Sequence, residues 1–339
     1  MSDRTSTTVD VHTHVIPDAL VREARDAGGL FGVRFEDGEL VHPEGYRAPL
    51  DPGFHDAGAI LARMDASGID VSVLSLSPTM FFYDQPPAEA AAFARLANDA
   101  IAELAAQHER LLAVAQLPMQ DPDAAARELE RAVSELGMRG ALIGTNVGAS
   151  SLDEDDFEPV FATAQRLGVP VELHPYFTGP KPRLEPFYFT NTIGNPLDTC
   201  IAAARLIHAG TFDRLPELRL VLAHGGGYLP YQLGRLDHAW QVREEPRARI
   251  AQPPSSYLRR FWIDTLTHGD EALAFLARLI GVDRLLLGTD LPYDMADAQP
   301  LERLRRVEID PNAVGAGALE LFGAPAAAAP PAAASAAHG

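Results

Sequence analysis

Short apolar runs rich in β-branched residues alternate with amphipathic segments over most of the chain. Several of these runs are nearly continuous, which is typical of strands buried on both faces of a parallel sheet. They predict eight strands, at 8–14, 70–76, 111–116, 140–144, 169–174, 218–224, 260–264 and 284–290. Helical spacing of apolar positions predicts helices at 56–67, 88–108, 122–136, 156–167, 197–209, 229–241 and 270–280, with one or two more after 299.

Eight strand–helix units in succession predict a (β/α)8 TIM barrel, and an open doubly wound sheet is the alternative. Two segments interrupt the alternation. A small insertion at about 15–55 follows the first strand and contains a hairpin that turns at Asp37-Gly38. A long loop at 175–196, rich in proline and aromatic residues, follows the fifth strand, where barrel enzymes place their active sites.

Composition limits the class of protein. We expect one barrel domain over residues 1–323 and a disordered tail of alanine and proline over 324–339. The start of the chain lacks a hydrophobic signal region, and no apolar run reaches membrane-spanning length. With Cys200 as the only cysteine, no intramolecular disulfide can form, which fits a reducing cytoplasm. The net charge of −19 argues against nucleic-acid binding, and an anionic substrate would need local cationic groups.

Five residues that bind metals or transfer protons lie at predicted strand ends. His12 and His14 end the first strand and, two residues apart, point to the same face. His174, His224 and Asp290 end the fifth, sixth and eighth strands. Any one of them alone could be a solvated or capping residue. Together, at the C-terminal rim of a barrel, the five predict a site.

Three imidazoles and one carboxylate suit a divalent ion of borderline softness with a position left for water. We therefore predict His12, His14, His174 and Asp290 as ligands, and His224 as the acid or base beside a metal-bound water whose pKa the ion lowers. The predicted fourth strand has no lysine that could bridge two ions as a carboxylate, and Lys181 is the only lysine of the chain. We therefore expect a mononuclear centre rather than a binuclear one.

Several motifs resemble the amidohydrolase superfamily, and within it the branch of aminocarboxymuconate-semialdehyde decarboxylase. The resemblance extends from about Val9 to Phe322. Besides the residues at the strand ends, the motifs that carry it are Met64-Asp-Ala-Ser-Gly-Ile-Asp-Val, Ala115-Gln-Leu-Pro-Met-Gln-Asp, His174-Pro, His224-Gly-Gly-Gly, Leu233-Gly-Arg-Leu-Asp and Leu287-Gly-Thr-Asp-Leu-Pro.

The resemblance implies a single Zn²⁺, or Mn²⁺, and non-oxidative loss of CO₂ from an unsaturated or aromatic acid. It implies that His224 is the acid/base residue and that Arg47 holds a substrate carboxylate. Arg235 is similar to a second carboxylate-binding arginine, one that in the family reaches the neighbouring subunit's site, so a homodimer is expected. Asn191 stands where the family's decarboxylase has a tryptophan, which leaves the substrate open.

Three functions are compatible with these residues. The first is a metal-dependent decarboxylase of a conjugated or aromatic carboxylic acid, in which metal-bound water and His224, or Asp290, handle the proton. The second is a mononuclear metal-dependent hydrolase or hydratase acting on an amide, a lactone or a cyclic imide. The third is a protein that binds a metal or carboxylate without catalysis. The pair of arginines favours decarboxylation, because a simple hydrolase has less need of two carboxylate-binding groups.

Overall fold

Eight parallel strands close into a barrel in the computed structural model, which describes residues 7–25, 29–43, 47–176 and 183–324. The strands follow the predicted order along the chain. They are β1 (Val9–Val15), β2 (Val71–Leu76), β3 (Leu111–Ala113, continued by Ala115–Gln116), β4 (Ala141–Gly144), β5 (Val171–His174), β6 (Leu220–Leu222), β7 (Phe261–Asp264) and β8 (Leu285–Leu286). Their side chains are almost all buried, as the continuous apolar runs predict.

Parallel pairing links each strand to the next along the chain. The β2 strand pairs with both β1 and β3, and a second sheet runs from the end of β3 through β4, β5, β6 and β7 to β8. Parallel bridges from Asp10 to Leu287 and from Thr13 to Leu291 join β1 to the β8 segment and close the ring. The predicted (β/α)8 barrel is confirmed.

The predicted eighth strand is longer than the observed one. Regular pairing stops at Leu286, and the chain from Leu287 to Leu291 follows β1 through single bridges and hydrogen bonds. Asp290 has a φ of 64°, which lies in the left-handed region and is incompatible with a continuing strand. This departure turns the Asp290 side chain toward the centre of the rim.

The helices surround the barrel. They are α1 (Asp18–Arg25), α2 (Ala57–Ser67), α3 (Pro87–Ala105), α4 (Pro122–Ser134), α5 (Glu158–Leu167), α6 (Asn195–His208), α7 (Thr211–Arg214), α8 (Leu229–Val242), α9 (Asp270–Ile280), α10 (Pro300–Arg306) and α11 (Pro311–Phe322). Aspartate caps start three of them: Asp56, Asp121 and Asp310 each accept a hydrogen bond from a backbone N–H in the first turn. In the described ranges, none of the helices combines the length and the apolar composition that a membrane crossing requires.

The two interruptions have structure of their own. In the first, a hairpin pairs Arg34–Glu36 with Glu39–Val41 around Asp37-Gly38, both at positive φ, and a third short strand, Arg47–Pro49, joins it. In the second, a π-helical turn over Thr190–Gly194 leads into α6. Residues 177–182 of the second segment, with Lys181, and the tail beyond 324 lie outside the described residues.

Candidate metal centre

The two histidines of β1 face the barrel axis together. The register of the pairing between β1 and β2 shifts between Asp10 and Thr13. His12 lies within this irregularity, and His14 lies just beyond it. Both imidazoles are fully buried, and their Nε2 atoms lie 3.1 Å apart. The strand therefore delivers two imidazole nitrogens to one point.

His174 and Asp290 approach the same point from β5 and from the segment after β8. The ring centroid of His174 lies 5.0 Å from those of both His12 and His14. Asp290 Oδ1 lies 3.0 Å from His14 Nε2 and 3.6 Å from His12 Nε2. One possible ligand atom from each of these four buried residues falls within 4.8 Å of the other three.

Hydrogen bonds on the outer side fix the orientation of each ring. The Nδ1–H of His12 donates to Asp264 Oδ2 at 2.7 Å, and that of His174 donates to the Pro175 carbonyl at 2.6 Å. Ser75 donates its hydroxyl proton to the Thr13 carbonyl, so its oxygen accepts the Nδ1–H of His14 at 3.1 Å. Neutral rings held in this way turn three Nε2 lone pairs toward the centre.

A divalent cation satisfies this arrangement. When the three rings are neutral, as metal binding requires, the central atoms are three imidazole lone pairs and the oxygens of a carboxylate, all acceptors. Within the described part of the chain, His174 Nε2 and Asp290 Oδ1 are buried without a hydrogen-bond partner. Buried polar atoms without partners are costly, and a divalent ion bound by three nitrogens and a carboxylate oxygen removes that cost. The residues present therefore fit a metal ion.

The pKa shifts of the residues at the centre also favour the binding of a cation. Burial lowers the pKa of His14 to about 4, and burial with neighbouring positive charge holds the pKa of His174 well below its usual range. Burial opposes ionisation of Asp290, but the adjacent imidazoles of His14 and His224 and the charge of His12 hold its pKa well below its ordinary value. Despite burial, the hydrogen bond to Asp264 and the charges of Glu172 and Asp290 raise the pKa of His12 to about 10. The carboxylate of Asp290, ionised at neutral pH, therefore favours a cation at the centre.

His224 lies beside these four residues. Its Nε2 is 3.6 Å from Asp290 Oδ2, and its ring centroid is 4.8 Å from that of His174. The side chain keeps 17% of its surface exposed, whereas the rings of His12 and His14 are fully buried. A histidine at the edge of the centre, open to solvent, can pass a proton between substrate and water.

The turn that presents His224 depends on the glycines after it. His224 and the three following glycines all have positive φ, between 55° and 71°. At Gly227 a β-carbon would overlap the carbonyl oxygen of Pro196, at the start of α6. The three glycines of the run His224-Gly-Gly-Gly are therefore needed for its left-handed backbone conformation, which positions the imidazole of His224.

Asp264 was missing from the residues that the sequence predicted. It ends β7, where it accepts the Nδ1–H of His12 and the backbone N–H groups of His224 and Gly225. Burial alone would raise its pKa, but the hydrogen bond from His12 and the nearby positive charge lower it below the ordinary value. A carboxylate at the end of a strand is the signal that identified Asp290, and it applies equally to Asp264.

Two further buried carboxylates surround β1. Asp10 accepts hydrogen bonds from the backbone of His12 and from the backbone and hydroxyl of Thr289, which ties β1 to the segment that carries Asp290. Glu172, on β5, has Oε1 3.8 Å from His12 Nδ1. Burial raises the pKa of Glu172 to about 8. Neither residue follows from a strand-end pattern, because each lies within its strand.

The two arginines lie outside this cluster. Arg47, in the short strand Arg47–Pro49, is exposed and forms an ion pair with Glu39, Nε to Oε2, at 2.7 Å. Arg235 is exposed on α8. Asn191 is partly buried in the π-helical turn before α6. The structure thus brings together the five predicted imidazole and carboxylate residues, and it places both arginines at the surface.

Comparison with known proteins gives consistent matches over nearly the whole chain. The sequence model of a family described as amidohydrolase matches residues 9–329. A 2-amino-3-carboxymuconate-6-semialdehyde decarboxylase of Dictyostelium discoideum is 31% identical over 328 residues, which cover 93% of this chain and 91% of that protein. A gamma-resorcylate decarboxylase of Polaromonas sp. strain JS666 is 36% identical over 273 residues, covering 75% and 83% respectively. The solved structure of a dihydroxybenzoic acid decarboxylase of Polaromonas sp. JS666, with bound manganese and the inhibitor 2-nitroresorcinol, has a TM-score of 0.77 and 29% identity, covering 94% of this chain and 97% of that one.

Proposed function

The chain belongs to the amidohydrolase family, and from this premise we propose that it is a metal-dependent decarboxylase of an aromatic or conjugated carboxylic acid. The observation that carries the proposal is the convergence of His12, His14, His174 and Asp290, with His224 beside them, in a chain whose matched relatives are decarboxylases. The release of CO₂ without oxidation requires a place for negative charge and a proton donor near carbon.

His12, His14, His174 and Asp290 would hold one divalent ion. Zn²⁺ suits three imidazoles and a carboxylate, and Mn²⁺ is the alternative, since a solved relative contains manganese. When bound, such an ion acts as a Lewis acid toward substrate oxygens. Metal analysis of the purified protein, followed by chelation and reconstitution with either ion, tests both the site and the choice of metal.

His224 would supply the proton. Its ring lies beside Asp290 and is partly open to solvent, so it can take a proton from water and pass it to the carbon that loses CO₂. Asp290 is the other candidate donor. It is the weaker of the two, because its carboxylate would be bound to the ion and its pKa is held low. His224→Asn should lower kcat by about 10²- to 10⁴-fold while the metal stays bound.

Arg47 would bind a carboxylate of the substrate after leaving Glu39. The insertion that carries it comes back to the rim, because Phe54 O accepts the N–H of Ile16 and the Phe54 ring packs on Tyr293. The Tyr293 ring in turn lies 5.4 Å from that of His14. A guanidinium binds a carboxylate in bidentate fashion, and the ion pair with Glu39 is exposed and therefore weak.

Arg235 would serve the site of a second subunit in a homodimer. It shares one face of α8 with Tyr231, four residues earlier, whose surface is 82% exposed. Leu197 and Ile201 of the neighbouring α6 and Phe187 before it are exposed as well. Exposed apolar side chains on two neighbouring helices, one of which also carries Arg235, fit an interface between copies of the chain. We further propose that each chain forms one barrel domain up to residue 323. We also propose that the dimer is located in the cytoplasm.

The decisive experiment measures CO₂. The metal-loaded protein is incubated with hydroxybenzoates and with muconate-type acids, and CO₂ release is followed before and after chelation. We expect release from at least one acid, loss of activity on chelation and recovery with Zn²⁺ or Mn²⁺. Turnover of a lactone, amide or cyclic imide with no CO₂ from any acid would support the hydrolase instead. Activity unaffected by His224→Asn would remove the proposed proton donor.

A further inference from the structure

Asp264 connects the metal ligands to the proposed proton donor. Its carboxylate, at the end of β7, is fully buried and accepts four hydrogen bonds. The donors are His12 Nδ1 at 2.7 Å, the backbone N–H of His224 at 2.9 Å, that of Gly225 at 2.7 Å and that of Leu266 at 3.1 Å. All lone-pair directions of the two oxygens are used, so this carboxylate has no capacity left for an ion of its own.

The bond to His12 decides which nitrogen of that ring faces the centre. Because a carboxylate only accepts, the neutral ring of His12 carries its proton on Nδ1 and its lone pair on Nε2. The Nε2 atom is the one that lies 3.1 Å from His14 Nε2 and 3.6 Å from Asp290. A negatively charged partner also makes the ring a better electron donor to a metal ion.

The bonds to the backbone hold His224 in a conformation that it would otherwise avoid. His224 has a φ of 55° and Gly225 a φ of 63°, both in the left-handed region. For a residue with a β-carbon this conformation is unfavourable and needs support from its surroundings. Asp264 gives that support by accepting both N–H groups, one on each oxygen.

We propose that Asp264 is a positioning residue that couples two functions, fixing His12 as a metal ligand and holding His224 at the reacting edge of the centre. The inference rests on the proposed function, because it takes His12 as a ligand and His224 as the proton donor. One oxygen, Oδ2, accepts from both residues. A shift of β7 would therefore move the ligand and the proton donor together.

Asp264→Asn tests this coupling with almost no change in volume. The amide keeps one accepting oxygen, and in either orientation its NH₂ group faces two of the four donors. His12 also loses its charged partner. We expect metal affinity to fall about 10- to 100-fold, the range for partners of ligating histidines. With metal at saturation, kcat should fall further than KM changes, since His224 would no longer be held in place.

Glu128→Gln provides a matched control. Glu128 is also a buried carboxylate with side-chain partners, Asn98 and Arg131, but it lies on α4 and contacts neither His12 nor His224. Its variant should change thermal stability and leave metal affinity and kcat as in the wild type. A purely structural Asp264 would behave in the same way, so wild-type metal affinity and kcat in Asp264→Asn would overturn the proposal.

A measurement on the wild type covers the case in which Asp264→Asn does not fold. In protein labelled with ¹⁵N-histidine and loaded with Zn²⁺, NMR should show His12 protonated at Nδ1 and coordinated through Nε2. Coordination through Nδ1 would overturn the proposal. A wild type that binds no divalent ion would remove the proposed function and this inference together. A wild type that binds the ion and releases CO₂, with Asp264→Asn equal to it, removes the inference alone.

Discussion

At the scale of single residues, His174 allows the most direct test of the ligand set. Its Nε2 is buried without a partner among the described residues, and its Nδ1 donates to the Pro175 carbonyl. His174→Ala removes one of four proposed ligands, so we expect the affinity for Zn²⁺ to fall by about 100-fold or more, measured by competition with a chelating dye.

His208→Ala is the matched control for this variant. His208 also donates its Nδ1–H to a proline carbonyl, that of Pro246, but from the outer helix α6. Removing it deletes the same chemical group and the same kind of hydrogen bond, and metal affinity should stay at the wild-type value. Full metal occupancy in His174→Ala at limiting Zn²⁺ would show that the ligand set is wrong.

The charge state of His12 predicts a pH dependence of metal binding. With its pKa raised to about 10 by Asp264, Glu172 and Asp290 against the effect of burial, the ring of the metal-free protein holds a second proton at neutral pH. A metal ion needs the Nε2 lone pair and must displace that proton. As pH falls further below the pKa of His12, competition from protons increases, so apparent affinity should rise about tenfold per pH unit from roughly pH 6 to 9.

Titration calorimetry in buffers of different ionisation enthalpy measures this exchange directly. At about pH 7 we expect close to one proton released for each ion bound. An affinity that does not change across this pH range, with no proton released, would mean that His12 is already neutral in the metal-free protein.

At the scale of elements, the hydrophobic pattern predicted the order and approximate bounds of strands and helices because buried strands and amphipathic helices leave different periods in the sequence. The residues at strand ends could be predicted as one cluster because the C-terminal ends of the strands of a barrel meet at one rim. The contacts of Asp264 were not found, because His12 is 252 positions away and their meeting depends on closure of the barrel. The early end of β8 was missed because the apolar run continues past it.

Helix α11 offers a test of how outer helices position β1. At Gly315 a β-carbon would overlap the carbonyl oxygen of Thr7, just before β1, whereas at Gly317 its nearest neighbour would be Asp283 O at 3.6 Å. Gly315→Ala should therefore lower the free energy of unfolding by about 1–3 kcal/mol, since two backbones must move apart. Gly317→Ala should be neutral or stabilising by up to about 1 kcal/mol, through helix propensity.

Urea unfolding curves of the two variants give the comparison. Because β1 carries His12 and His14, we also expect Gly315→Ala to bind metal more weakly than Gly317→Ala. Equal stabilities would show that α11 can move away from β1 without cost.

At the scale of the whole molecule, the negative net charge and the exposed apolar surface of α8 both bear on how an anionic substrate is bound. A net charge of −19 repels an anionic substrate, so binding must come from cations held close to the centre. Arg47 is paired with Glu39 within its own insertion, and Arg235 lies on a face shared with the exposed Tyr231. In the proposed homodimer, a second subunit seated on that face would cover Tyr231 and offer its own Arg235 to the neighbouring site.

Mixed dimers distinguish an Arg235 that serves its own site from one that serves its partner's. Arg235→Ala and His224→Asn are purified, mixed in equal amounts, allowed to exchange subunits, and assayed. If Arg235 acts across the interface, each mixed dimer regains one complete site, since the Arg235→Ala subunit keeps His224 and receives the partner's arginine. Half of the dimers are mixed, so about one quarter of wild-type activity should return.

Tyr231→Glu in both subunits should abolish this recovery and halve the mass in solution, while Leu279→Glu, on the exposed surface of α9, should affect neither. Mixtures that stay as inactive as their components, although the wild type is a dimer, would place Arg235 in its own subunit's site or outside catalysis.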